Sequence, residues 1–132
     1  MIFIDTSTIV AVLANEPDRD GFIEAIEAAD RRITSPVVRL ETCIVLSSRL
    51  DFSPGAAEAQ FNRFLDEAGI AEIDVTSAIG VAAVACFTRF GEGRHPARLN
   101  FADCLSYACA KAHGARLLFK GDDFAQTDIN AG

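Results

Sequence analysis

Apolar and polar residues follow two different periods along this chain. Short apolar runs predict strands, whereas longer segments with apolar residues three and four positions apart predict helices. The predicted strands are Met1–Asp5, Arg32–Ser35, Ala71–Val75 and Arg116–Lys120. The predicted helices are Thr6 to Asn15, Asp20 to Ala29, Val37 to Leu50, Pro54 to Ala68, Thr76 to Phe90 and Asn100 to His113, and Gly121–Phe124 begins a final turn or short helix.

The order of these elements indicates the fold class. Strands alternate with helical segments, which predicts an α/β three-layer sandwich with a central, mainly parallel sheet flanked by helices. A chain of 132 residues fits a single domain over residues 1–132. The apolar start reaches Asp5 without a basic region, unlike a signal peptide. The longest apolar stretch, Ile79 to Phe87, is too short to span a membrane. We therefore expect a cytoplasmic protein.

Composition adds a strongly acidic charge to this picture. The chain has 12 Lys and Arg against 19 Asp and Glu, a net charge of −7, and its isoelectric point is near 4.7. On net charge alone, this balance argues against an ordinary basic patch for nucleic acid. The four cysteines form no C-x-x-C pair, so we expect reduced thiols in the core.

Two carboxylates stand at unusual positions. Asp5 follows the first predicted strand, and ligands bind at the carboxyl ends of parallel strands; the alternative is that Asp5 caps the next helix. Glu41 lies mid-helix, and its neighbours three and four positions away are all apolar: Val37, Val38, Ile44 and Val45. A buried carboxylate is costly without a partner. Arg39, two positions away, faces elsewhere on a helix, so a metal ion or a metal-bound water would satisfy Glu41.

Three further carboxylates follow helix-start and strand-end signals. Asp103 is the third residue of its helix if Asn100 is the N-cap, which either forms a capping box or points the carboxylate outward as a ligand. Asp122 and Asp123 follow the fourth predicted strand, where the alternative is a plain turn. Together with Asp5 and Glu41, these residues can converge at one end of a parallel sheet.

Such an oxygen cluster predicts a particular chemistry. Packed carboxylates repel each other unless a hard cation neutralises them, and oxygen ligands favour Mg²⁺ or Mn²⁺. These sites serve phosphodiester chemistry, in which the metal activates water and stabilises the leaving oxygen. The sequence contains no P-loop and no G-x-G-x-x-G motif.

The motifs as a set resemble those of a known family. They are Ile4-Asp5-Thr6-Ser7, the mid-helix Glu41, Asn100-Phe101-Ala102-Asp103-Cys104 and the segment from Leu117 to Phe124. Together they resemble the PIN-domain nucleases, and specifically the VapC toxins of bacterial toxin–antitoxin pairs, over essentially the whole chain. The resemblance implies a PIN-like sandwich and an Mg²⁺- or Mn²⁺-dependent endoribonuclease. It also implies tRNA or rRNA as substrate, a VapB-like antitoxin and a homodimer.

The resemblance assigns roles residue by residue. Asp5, Glu41 and Asp103 match the first three acids of the family. Many members have Asp where this chain has Gly121 and another two positions later, which corresponds to Asp123; Asp122 is the alternative fourth acid. Thr6 or Ser7 is expected to hold a metal-bound water.

A basic segment lies between the last two predicted helices. Arg89, Arg94, His95 and Arg98 are accompanied by one acid, Glu92. We interpret these four residues, together with Lys120, as a rim that contacts RNA phosphates. The alternative is a solubilising loop.

Two other functions remain open at this point. A Mg²⁺-binding receiver-type signalling domain is also small, acidic and α/β, but it needs an acceptor Asp at the end of a middle strand, where this chain has Val75-Thr76. The second alternative function is that of a catalytically inactive interaction protein with the PIN fold. A metal site would also change what the net charge implies about nucleic acid. Bound cations would offset the clustered acids, so RNA affinity would depend on the metal.

Overall fold

The computed structural model describes residues 1–132 and contains four strands and six α-helices. The strands are β1 (Ile2–Ile4), β2 (Arg32–Thr34), β3 (Ala71–Glu72) and β4 (Arg116–Leu118). The helices are α1 (Thr6–Leu13), α2 (Arg19–Ala28), α3 (Pro36–Arg49), α4 (Pro54–Ala68), α5 (Ser77–Phe90) and α6 (Phe101–Ala112), and a short 3₁₀ helix covers Phe124–Gln126.

The sheet is entirely parallel and has the strand order β3-β2-β1-β4. In β1, Phe3 pairs with Ile33 of β2 on one side and with Leu117 of β4 on the other. The chain passes from β1 through β2 to β3 on one side and then crosses over to place β4 on the other side of β1. The carboxyl end of β1 is therefore the switch point of the sheet, where α/β proteins bind ligands. Helices flank this sheet, which confirms the predicted three-layer α/β sandwich.

Burial on both faces of the sheet explains why the central strand residues are continuously apolar. Phe3, Ile4 and Leu117 are fully buried within one apolar cluster, as is usual for parallel strands covered on both faces. All four cysteines are free and buried, as predicted. No helix has the length and apolar character that crossing a membrane requires.

Several boundaries differ from the predicted ones. β3 ends at Glu72 rather than Val75; it is an exposed edge strand, and short edges limit unwanted strand pairing. α1 ends at Leu13, and Asn15 takes a positive φ of 54° that closes the helix. The C-terminal segment pairs beside β4, where Leu117 N donates to Asn130 O at 2.8 Å. No periodicity in that polar segment indicated this pairing.

Candidate active site

Asp5 lies at the switch point of the sheet and is 4% exposed. Its Oδ2 accepts hydrogen bonds from Ser7 N at 3.1 Å and from Ser7 Oγ at 2.7 Å. Asp5 is therefore the N-cap of α1, which was the alternative role that the sequence offered for it. The cap and site interpretations are compatible, because Oδ1 of the same carboxylate makes neither of these bonds.

Ser7 connects the carboxyl ends of the neighbouring strands β1 and β4. Its Oγ accepts a hydrogen bond from Lys120 N at 2.9 Å while donating to Asp5. Asp5 N in turn donates to Leu118 O at 3.1 Å. The segment after β4 is thus held against Asp5, which places Lys120 beside the site.

Glu41 and Thr6 face each other within the site. Burial raises the pKa of the Glu41 carboxyl, the nearby Asp5 charge raises it further, and the Thr6 hydroxyl opposes both effects. That hydroxyl nevertheless makes no hydrogen bond of ordinary geometry, and Thr6 Oγ1 is buried without a partner. Arg39 does point away from Glu41, as predicted: it binds Glu58, Asn62 and Glu72.

Asp103 forms the predicted capping box at the start of α6. Asn100 Oδ1 accepts from Asp103 N at 2.9 Å, and Asp103 Oδ2 accepts from Asn100 N at 3.0 Å. Burial raises the pKa of Asp103 to about 7, against the Asn100 hydrogen bond, and the charges of Asp5, Glu41 and Asp123 add to the increase. Asp5, Glu41 and Asp123 therefore all lie within electrostatic range of Asp103.

The surroundings of Gly121, Asp122 and Asp123 favour Asp123 as the fourth acid. Gly121 has a φ of +101°, a conformation that strains any residue with a side chain, so an acidic residue is disfavoured at this position. Asp123 raises the pKa of Asp103, whereas Asp122 is not among the charges that do so. Asp123 also begins the 3₁₀ helix without a side-chain hydrogen bond, so its carboxylate is available.

A cleft of about 510 Å³ joins three of the acids, Asp5, Glu41 and Asp103, whereas Asp122 and Asp123 do not line it. Its walls include Asp5, Thr6, Ser7, Glu41 and Asp103, together with Lys120, Arg49 and Glu16. Sequence reasoning missed Arg49 and Glu16. A signal for Arg49 existed, because it lies eight residues after Glu41 and so on the same face of α3. A larger cleft of about 640 Å³ lies between α1, α2 and α4 and does not contain the clustered acids.

The donor set fits a hard divalent cation. All of the acidic side chains offer oxygen, the ligand atom that hard cations prefer. Thr6 Oγ1 is a buried oxygen without a partner, as a ligand or the support of a bound water would be. No three side chains converge closely enough to ligate one ion directly. Since Asp5 Oδ2 and Asp103 Oδ2 are occupied by helix-capping bonds, only part of each carboxylate faces the cleft.

The predicted basic rim is placed differently from the acids. Arg89 pairs with Asp128 at 3.5 Å and stacks on Phe90, and Arg94 stacks on Phe87. His95 Nδ1 accepts from Ala97 N at 3.0 Å, and Arg98 has a positive φ of 53°. None of these four residues lines the acidic cleft, whereas Lys120 does.

The fold and the cleft define a class of protein: a parallel α/β sandwich with acidic residues at the switch point of its sheet. A family model described as PIN domain matches residues 2–130, and the chain therefore belongs to the PIN-domain family. Over 126 residues the chain is 43% identical to "VapC ribonuclease Mb0640" of Mycobacterium bovis, covering 96% of this chain and 94% of that protein. This confirms the predicted resemblance to VapC-type PIN toxins.

Solved structures show the same fold. VapC20 of Mycobacterium tuberculosis, described as a sarcin-ricin loop cleaving toxin, has a TM-score of 0.77 and 23% identity, covering 98% of this chain and 96% of that one. VapBC2 of Rickettsia felis, solved with a DNA fragment from its promoter, has a TM-score of 0.75 and 17% identity, covering 100% and 98%. The family match excludes the receiver-type alternative, and β3 indeed ends at Glu72, which is paired with Arg39.

Proposed function

We propose that this chain, as a single domain over residues 1–132, is a Mg²⁺- or Mn²⁺-dependent endoribonuclease toxin that acts in the cytoplasm and is neutralised by a cognate VapB-like antitoxin. One observation carries the proposal: Asp5, Glu41 and Asp123 are all close enough to Asp103 for their charges to repel its carboxylate, beside the switch point of a parallel sheet. Such repulsion costs stability, and a function that requires negative charge at one place explains why it is kept.

In this proposal Asp5, Glu41, Asp103 and Asp123 hold the cation partly through bound water, because no three of them converge closely enough to ligate one ion directly. Thr6 orients one such water. When bound, the cation would neutralise phosphate charge and make a water molecule more acidic. The chain itself supplies the orientation. Ser7 fixes Asp5, the capping box fixes Asp103, and the apolar helix face around Glu41 limits the directions in which that carboxylate can turn.

Metal binding also resolves the conflict between an acidic chain and an RNA substrate. Without a cation the cleft presents negative charge to phosphates and repels them. With a cation the sign of the local field reverses. The net charge of −7 then disfavours non-specific RNA contacts elsewhere, so RNA affinity depends on the metal and on nearby basic residues.

The substrate is proposed as a structured RNA, either tRNA or rRNA. The description of VapC20 as a sarcin-ricin loop cleaving toxin makes an rRNA stem-loop the first RNA to test. The partner proposal is supported by a solved structure with the same fold, which is described as a toxin-antitoxin complex from Klebsiella pneumoniae.

We also propose a homodimer. Large apolar side chains are exposed on α3 and α5, which both pack against α6. They are Leu40, Ile44, Val81, Val84 and Phe87. Apolar patches of this kind mark interaction surfaces. Light scattering coupled to gel filtration measures the oligomeric state, and a monomer at all concentrations would contradict this part of the proposal.

The test of the enzymatic function is cleavage of purified tRNA and rRNA by the metal-free protein with and without added Mg²⁺ or Mn²⁺. We expect internal cleavage that requires the cation, stops with a chelator and stops again when the antitoxin is co-purified. A folded protein that binds the antitoxin but cleaves neither RNA with either metal would instead be an inactive PIN-fold interaction protein.

A further inference from the structure

Two cations in the acidic cleft share one carboxylate. Arg49 Nη1 lies 3.6 Å from Glu16 Oε2, and Lys120 Nζ lies 2.7 Å from Glu16 Oε1. Lys120 Nζ also lies 3.2 Å from Asp18 Oδ1. Glu16 therefore holds two positive groups together in the wall of the cleft that contains Asp5. Glu16 and Asp18 balance the charge of these two groups.

The position of the pair is fixed relative to the clustered acids. Lys120 is held through its backbone, because Lys120 N donates to Ser7 Oγ, which donates to Asp5. Arg49 lies eight residues after Glu41 on α3, a separation of about 12 Å along a helix axis. A phosphate bound between the two cations would therefore belong to a nucleotide that flanks the scissile one.

These ion pairs are arranged so that another anion can replace the carboxylate. The side chain of Arg49 is 63% exposed and that of Lys120 is 40% exposed, whereas that of Glu16 is only 23% exposed. Exposed ion pairs contribute little net stability, so exchanging Glu16 for an incoming phosphate costs little. Arginine also presents a planar fork of donors that matches phosphate oxygens.

We propose that Arg49 and Lys120 bind a backbone phosphate beside the scissile one, and that Glu16 positions both cations and competes with the RNA for them. This inference rests on the proposed ribonuclease function and adds a substrate-binding subsite to it. Glu16 touches neither the acids nor the scissile phosphate, so it is a positioning residue. It limits RNA affinity until a substrate phosphate displaces it.

The test measures binding and cleavage separately. Binding of a fluorescein-labelled hairpin RNA is followed by anisotropy with Mg²⁺ present in an Asp103→Asn background, where cleavage is not expected. The variants are Arg49→Ala, Arg49→Lys, Lys120→Gln and Glu16→Gln. Arg63 and Glu67 form an exposed ion pair of the same kind on α4, so Arg63→Ala and Glu67→Gln are the matched controls.

We expect Arg49→Ala to weaken RNA binding about fourfold near physiological salt and to reduce the salt slope by about 0.7, the effect of one lost phosphate contact. Arg49→Lys should recover only part of this loss, because lysine keeps the positive charge but lacks the planar fork of donors. Glu16→Gln should strengthen binding, by up to about fivefold, as expected for release from a surface ion pair. In the otherwise native protein, Arg49→Ala should raise KM while kcat changes little.

Two results would overturn the subsite. One is binding by Arg49→Ala and Lys120→Gln that equals binding by Arg63→Ala. The other is a Glu16→Gln variant that gains no more affinity than Glu67→Gln. A native protein that binds the hairpin through Arg49 but cleaves no RNA would leave the subsite standing and contradict the proposed function instead. Thermal melting of each variant identifies any that fails to fold, and the conservative Arg49→Lys keeps the comparison decisive.

Discussion

Glu72 and Asp103 are both partly buried carboxylates near the sheet, but their surroundings differ. Glu72 receives two hydrogen bonds from Arg39, at 2.9 and 2.8 Å, and this partner lowers the pKa of Glu72 while its carboxylate raises the pKa of Arg39. Asp103 has only its own helix start for support and faces three other acids, and its pKa rises to about 7.

The first kind of acid stabilises the fold through an ion pair, whereas the second kind lowers the stability of the folded protein. Around Arg39, each carboxylate is compensated by a guanidinium that also lies 4.9 Å from the ring of Phe61. In the cleft, the carboxylates lie together without a compensating base, and the nearest cations, Arg49 and Lys120, are occupied by Glu16. An uncompensated cluster of this kind is a candidate functional site, because folding alone does not favour it.

The comparison is tested most strongly by neutralising one acid from each group. Asp103→Asn and Asp5→Asn should each reduce Mg²⁺-dependent RNA cleavage at least about 100-fold, because a ligand and its charge are lost. Glu72→Gln should leave the cleavage rate unchanged. The measurement is initial cleavage rate at saturating Mg²⁺, with circular dichroism to verify folding. Cleavage by folded Asp103→Asn or Asp5→Asn at the native rate would contradict the metal-site assignment.

The contributions of Asp103 and Glu72 to folding stability should change in opposite directions as the pH rises. Asp103 has an ordinary pKa of 3.8 and a folded-state pKa of about 7, so the metal-free folded protein binds the proton more tightly than the unfolded chain. Stability should therefore fall as pH rises from about 4 to about 7. Glu72, whose pKa is lowered from 4.5, contributes stability above its ordinary value and loses it as pH falls below.

The expected loss between pH 4 and pH 7 is about 2 kcal/mol, roughly half of what a shift of this size gives for a fully shielded group. Urea unfolding of chelator-treated protein across this range measures it. Asp103→Asn should flatten this part of the curve, and Mg²⁺ should restore stability near pH 7. A native curve that rises steadily to pH 7 without metal would show that the cluster is not strained.

The sequence predicted the acids better than the cations, for a physical reason. Asp5 and Glu41 carry local signals: one follows a buried strand, and the other interrupts an apolar helix face. The partners of Arg49 and Lys120 are set by tertiary structure, since Glu16 is 33 residues from one and 104 from the other along the chain. No local period encodes such a contact.

The basic segment from Arg89 to Arg98 shows that local composition also cannot tell which cations remain free. Its basic composition predicted an RNA-binding rim, but the fold uses part of it for packing. Ala97 and Leu99 are buried, Leu99 bridges to Gly91, and Arg89 pairs with Asp128 from the C-terminal segment. Charge composition indicates how many cations a segment carries, whereas burial and partner contacts decide which of them remain available to a phosphate.

The smallest expected effect comes from the compensated group. Arg39→Met keeps a long apolar side chain and removes both the charge that Glu58 and Glu72 share and the guanidinium over the Phe61 ring. We expect a loss of about 1 kcal/mol in the free energy of unfolding, because these pairs are partly exposed, and an unchanged cleavage rate. In a double-mutant cycle with Glu72→Gln, the two losses should be less than additive, since the second substitution removes an interaction that is already gone. Additive losses would mean that the Arg39–Glu72 pair contributes nothing to stability, and a loss of cleavage would mean that the two groups of acids are not independent.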